Sequence, residues 1–187
     1  MTARRRRALR AVATVLVIAA AAVVWHHLPA PSDVYRPFDV HGAPGEPVSG
    51  RLFDVTVTGV RTGQEVQAPR RPPAPAAGRW VLVDTDLVAT DRYVLPRAEL
   101  LVGPNTYAPS ERFQFVQLGG ELAPLITQRG SWAFDVAPDL LNRSTMLSLR
   151  VWSGDHRLDS RVVVDIPYAD AVFDDAPLTL AATKESA

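Results

Sequence analysis

Hydrophobic and polar residues follow two different patterns along this chain, and the change between them marks its organisation. Residues 11–25 form an uncharged, mostly aliphatic run. Ala8, Leu9 and Leu28 extend it, so the pattern predicts one apolar helix over residues 11–28. From residue 50 onward the period becomes two. Phe53, Val55 and Val57 alternate with Asp54, Thr56 and Thr58, the signature of a half-buried strand. Residues 80–90 carry apolar groups on both faces: Trp80, Leu82 and Val88 on one, Val81, Val83 and Leu87 on the other. Further strands are predicted at 98–102, 131–136, 146–152 and 160–166. Weaker segments at 66–68 and 113–118 read as a return strand and an edge segment. Residues 69–78, with Pro72, Pro73 and Pro75, read as a loop that cannot donate to a ladder. Pro138 suits the start of a single helical turn over 138–142. No segment after residue 28 sustains a period of 3.6. Six or seven short strands with turn signals between them predict an all-β fold, an immunoglobulin-like antiparallel β-sandwich of about seven strands, with a small barrel as the alternative.

Charge gives the apolar helix a direction. Arg4, Arg5, Arg6, Arg7 and Arg10 precede it, and no acidic residue occurs before Asp33. Positive residues resist translocation, so residues 1–10 are expected in the cytoplasm and the remainder outside the membrane. Trp25, followed by His26 and His27, falls where an interfacial aromatic belt belongs. The run fits a single-pass signal anchor better than a cleaved signal peptide, because the best local cleavage site, Ala30-Pro31-Ser32, matches the small-residue rule poorly. Cleavage there would instead release a secreted domain. The chain contains no Cys, which excludes a lipoprotein anchor, disulfides and thiolate chemistry.

The formal charge of zero hides an asymmetry. Beyond the first ten residues the chain carries 15 basic and 20 acidic residues, a net charge of −5. That balance argues against a nucleic-acid partner. Residues 29–49 hold Pro29, Pro31, Pro37, Pro44 and Pro47 and read as a linker, although Tyr35, Phe38 and Val40 are spaced to pack as an irregular first strand. Residues 50–167 are the sandwich. Residues 168–187, with Asp170, Asp174, Asp175 and Glu185 and little periodicity, read as a flexible acidic tail, with Val172 and Phe173 placed to pin its start.

Candidate chemistry is sparse. His156 lies in a polar turn beside Ser153 and Asp155, where adjacent residues rarely point at one another as a triad requires. His26 and His27 lack the further ligands a metal needs. Asp84, Asp86 and Asp91 form the densest acidic cluster, but the calcium-loop glycine is missing, so a solvated strand face is the expectation. No phosphate-cradling glycine loop follows a strand. The sequence therefore points to no catalytic residue, metal or cofactor. Trp80, Trp132 and Trp152 all sit on alternating strands, which favours the core. Exposed together on one sheet face they would instead make a binding platform, rimmed by Arg79, Arg150 and Arg161.

Three stretches resemble a known family. Residues 78–87, from Gly78-Arg79-Trp80 through Asp84 to Leu87, are similar to the second strand of telokin-like, immunoglobulin-like extracellular domains of uncharacterised Gram-positive envelope proteins. Residues 95–107, with Leu100, Gly103 and Tyr107, resemble that family's hairpin. Residues 128–138, with Gly130, Phe134 and Pro138, resemble a later strand. The motif departs at Ala89-Thr90-Asp91-Arg92, where an Asn-x-Gly is usual, and at Arg129, where a proline is usual. The resemblance implies a sandwich and a surface role over residues 50–167, and it supplies no catalytic residues. The resulting expectation is a membrane-held, non-enzymatic interaction module contacting another envelope or membrane protein. A domain binding cell-wall glycan or a small ligand is the alternative.

Overall fold

A computed structural model describes residues 3–28, 35–155 and 157–186. The candidate cleavage site and His156 lie outside the described residues. The chain divides into two compact units, residues 1–36 and 37–187.

The first unit contains one helix, α1 (Ala3–His27). It begins eight residues before the predicted start, because arginines are good helix formers and nothing before Pro29 breaks the pattern. The Thr14 hydroxyl donates to the Arg10 carbonyl at 3.0 Å, so its polar group is satisfied within the helix. The stretch Arg10–His27 is long and apolar enough to cross a membrane. Its side chains, Leu16, Ile18 and Trp25 among them, are exposed.

The second unit is a two-sheet sandwich. Its strands are β1 (Phe38–Gly42), β2 (Val48–Ser49), β3 (Phe53–Gln67), β4 (Ala74–Ala89), β5 (Pro96–Val102), β6 (Asn105–Tyr107), β7 (Thr127–Val136), β8 (Met146–Ser153), β9 (Ser160–Pro167), β10 (Val172–Phe173), β11 (Leu178–Thr179) and β12 (Lys184–Ser186). One sheet runs β1-β9-β8-β5-β6. The other runs β10-β3-β4-β7-β12, with β2 and β11 also on β3. The long pairs β3–β4, β4–β7, β5–β8 and β8–β9 are antiparallel, as the hairpin-like sequence pattern implies. The short pairs β1–β9, β10–β3 and β11–β3 are parallel, each joining strands far apart in the chain.

Between the sheets lies the main core. Val55, Val57, Val83, Trp132 and Phe134 face Leu100, Val102, Leu147, Leu149, Val151 and Val164, all buried. A second apolar cluster sits on the opposite face of β4 and β7, around Trp80, Leu82 and Ala133. Phe113, Leu178 and Leu180 complete it. This second layer explains why β4 is apolar on both faces, a pattern that in an open sandwich would leave one side wet. Trp80 donates its indole N–H to the Ala74 carbonyl at 2.9 Å and meets the Phe113 ring edge-on at 5.2 Å.

Several predicted boundaries move. The segment expected as a flexible tail folds back as β10, β11 and β12, and its Leu178 and Leu180 are fully buried. Burying leucine on a face that is already apolar outweighs the weak strand propensity of two- and three-residue pairs. The expected linker ends early, because residues 38–42 pair with β9 and Val48 is buried. The predicted return strand at 66–68 is the end of β3, which stays continuous through irregular register at Val57/Gly59 and Gly63/Glu65. The proline loop shortens to residues 68–73, and Pro75 enters β4 where the register with β3 is broken. The predicted edge segment at 113–118 contains the end of a 3-10 turn (Glu111–Phe113). It packs along β7, with Ser110 and Leu118 donating to the Ala133 and Ser131 carbonyls. Gly78 is required where β4 passes β7: a Cβ there would lie 2.3 Å from the Val136 carbonyl oxygen.

Candidate functional site

The three tryptophans do not share a surface. Trp80 is 0% exposed in the second cluster and Trp132 is 1% exposed between the sheets. The platform drawn from all three is therefore corrected: strand alternation turns the first two inward, on opposite faces of one sheet. Trp152 is half-buried on the outer face of the five-stranded sheet, opposite Arg97.

That outer face gathers Arg150 and Arg161, as the rim was drawn, but not Arg79. Arg150 lies opposite Glu99 on β5 and Val163 on β9. Arg161 forms a two-bond fork with Asp39, Nε to Oδ1 at 2.7 Å and Nη2 to Oδ2 at 2.9 Å. Arg150 Nη1 and Arg161 Nη1 reach the same Glu99 carboxylate, at 3.3 and 3.8 Å. Val163, opposite Arg150, is 4% exposed although it faces outward. Packing so close leaves Arg150 Nε buried without a hydrogen-bond partner among the described residues. Farther along the same face Asp165 accepts from Ser148 and lies 3.9 Å from His41.

Beside this face the sheet has a partly open edge. β6 covers only Leu100–Val102 of β5, so among the described residues no strand lies beyond residues 96–99. A groove of about 450 Å³ runs there, lined by Pro96, Arg97, Thr106, Ala108, Pro109 and Trp152. Pro96 contributes no N–H to that edge, which limits uncontrolled strand pairing.

The acidic cluster is dispersed among arginines. Asp84 accepts two bonds from Arg61, at 2.7 and 2.6 Å, and one from Ser131 at 2.5 Å. Arg61 also donates to the Thr179 carbonyl at 2.9 Å, which ties the folded-back C-terminal segment to the sheet. Asp86 pairs with Arg129 at 3.0 Å and Asp91 with Arg92 at 2.9 Å. Each carboxylate thus has its own guanidinium. Arg79 stands in the other sheet, at the start of the long apolar stretch of β4, in a cleft with residues 138–143.

Two ion pairs set an acid limit. Hydrogen bonds from the Arg161 guanidinium hold the Asp39 carboxyl below its ordinary value. Arg51, forking onto Asp159 at 2.7 and 2.5 Å, does the same there. A carboxyl depressed in the folded state stabilises the fold fully above its unfolded value of about 3.9. Below that value the unfolded chain binds the proton first, and the contribution is lost as pH falls toward the folded value. Urea unfolding is expected to show declining stability from about pH 5 downward, and a smaller decline in the Asp39→Asn/Asp159→Asn double variant. An identical decline in the variant assigns the acid sensitivity to other carboxylates.

Sequence reasoning gave no site role to Asp39, Glu99, Arg143 or Phe173, although it placed Phe173 at the pinned start of the tail. Glu99 and Arg150 occupy outward positions of predicted strands, so a charge-pair search across strands would have found them. Asp39 was hidden because its strand looked like linker.

No family model matches this chain, and no curated protein matches it. Two solved structures are similar at low identity. One is an uncharacterised β-sandwich protein of Clostridium difficile 630, with TM-score 0.47 and 14% identity, covering 74% of this chain and 99% of that one. The other is a candidate lipoprotein of Bacillus subtilis subsp. subtilis strain 168, with TM-score 0.48 and 14% identity, covering 66% of this chain and 39% of that one. The chain thus spans well under half the length of the second, and neither likeness carries a function to it.

Proposed function

We propose that this protein is a membrane-anchored, non-enzymatic interaction module whose β-sandwich works outside the cytoplasmic membrane. The arginine cluster before α1 supports that orientation through the positive-inside rule. On this reading the motif resemblance to immunoglobulin-like envelope domains reflects a shared surface role. The observation that carries the reading is the partly open edge of β5 beside the Trp152 groove. An extended segment of another envelope protein would add there as a strand, its backbone pairing with residues 97–99 and a side chain seated against Trp152. The glycan-binding alternative lost its main support when Trp80 and Trp132 proved internal, since a sugar platform needs aromatic faces in the open.

Two measurements test this. The chain has no cysteine, so a single Thr58→Cys variant can be labelled uniquely. Labelling by a membrane-impermeant maleimide in intact cells is expected, and labelling only after lysis overturns the orientation. A photo-crosslinking residue at Arg97 or Thr106 is expected to capture a discrete membrane-protein partner that the same residue at Glu65 does not. Equal capture from all three positions removes the edge as the docking site.

A further inference from the structure

The sandwich carries a second concave feature that the docking reading does not use. Near the β4 start and the turn after β7, a cleft of about 390 Å³ is bounded by Arg79, Pro138, Leu141, Asn142, Arg143 and Phe173. The size falls within the range of small-molecule sites, roughly 300–1,000 Å³. Its floor is apolar: Pro138, the half-buried Leu141 and the buried ring of Tyr168, against which Phe173 stands edge-on at 5.4 Å. Phe173 is 56% exposed, so one aromatic flank is open to a ligand.

The charged residues that line the cleft are all cationic. The domain around it is acidic, and Arg51, Arg61, Arg92, Arg129, Arg150, Arg157 and Arg161 all lie within ion-pair distance of a carboxylate. Arg79 and Arg143 have no such partner among the described residues, and no Asp or Glu lines the cleft. Two guanidiniums lining one cleft without an acid beside them make it attractive to an anion supplied from outside. Their planar donors match phosphate or carboxylate oxygens, and the Asn142 amide adds a donor that tolerates either.

We propose that this cleft binds a small amphipathic anion, a phosphate or carboxylate held by Arg79 and Arg143 with its apolar body against Leu141 and Phe173. The site is separate from the β5 edge, so it stands or falls independently of the docking reading. The test uses the full-length protein in uncharged detergent micelles, with phenyl phosphate as probe and ligand-observed NMR as readout. Saturable binding is expected, weaker for inorganic phosphate, absent for benzyl alcohol, and declining as salt rises. Arg79→Gln and Arg143→Gln should each weaken phenyl phosphate by about tenfold or more, because each removes a charge-assisted donor. Thermal midpoints should stay unchanged, since neither side chain has an ion-pair or hydrogen-bond partner among the described residues. If Arg79→Gln fails to fold, the exposed Arg143→Gln carries the test alone. No saturable binding, or binding indifferent to Arg143→Gln, overturns the proposal. Competition by vesicles of phosphatidylcholine with phosphatidylglycerol assigns the source: displacement of the probe points to a lipid head group, and no displacement to a soluble ester or acid.

Discussion

Removing residues 175–187 is expected to lower the thermal unfolding midpoint of the protein by about 10 °C or more. Leu178 and Leu180 are 1% and 0% exposed, and they close the cluster containing Trp80 and Leu82. Deleting one buried leucine side chain costs about 2–5 kcal/mol, and each kcal/mol moves a domain of this size by about 2–4 °C. The truncation also removes the Thr179 carbonyl that Arg61 holds and the Leu180 bond to the Gln67 carbonyl at 3.0 Å. Tryptophan emission should shift to the red as water reaches Trp80. Leu178→Ala alone should reproduce part of both changes, which separates local uncovering from wholesale misfolding. A midpoint that moves by less than about 2 °C would return these residues to the status of a loose tail.

Trp132→Ala should destabilise the domain by about 3–5 kcal/mol in urea unfolding, among the largest effects of any single substitution. The side chain is buried between the two sheets with Phe134, Val83 and the inner face of β5 and β8. The strands on both sides are held in their ladders, so the space is filled only in part when the ring is removed. Trp152→Ala provides the contrast. Trp152 is half-buried on an outer face, so its loss should cost well under half as much. If the two variants prove equal, either the core is not between these sheets or the outer face is covered in solution. The second outcome would itself point to a partner or a second copy seated on Trp152.

The contrast between the tryptophans shows where local pattern stops informing. Alternation along residues 131–136 placed Trp132, Phe134 and Val136 on one face, and that face is the core. The same logic on residues 80–88 found apolar groups on both faces of one strand, without indicating what covers the second. The cover comes from residues 110–118 and 171–180, distant in sequence and weak in strand signal. Leu178 and Leu180 show a period of two over only three residues, too short to distinguish from chance. The candidate binding residues fared accordingly. Arg150 and Trp152 lie on one exterior face because β8 is strongly periodic. Arg79 lies elsewhere, because its neighbours come from a turn whose position depends on how β7 leaves the sheet.

From the sequence alone came the apolar N-terminal helix with its basic flank, the six main strands and the two-layered all-β architecture. These follow from interactions within ten or twenty residues: hydrophobic period, turn chemistry at Gly and Pro, and charge before an apolar run. Tertiary structure alone decided the rest. It recruited β1 and β10 to β12 as short pairs, covered the second face of β4, matched Asp39, Asp84 and Asp86 to arginines, and placed two arginines in one cleft that no acid lines. Those outcomes rest on pairings across 20 to 120 residues, whose energy appears only after the long strands have brought their partners into register.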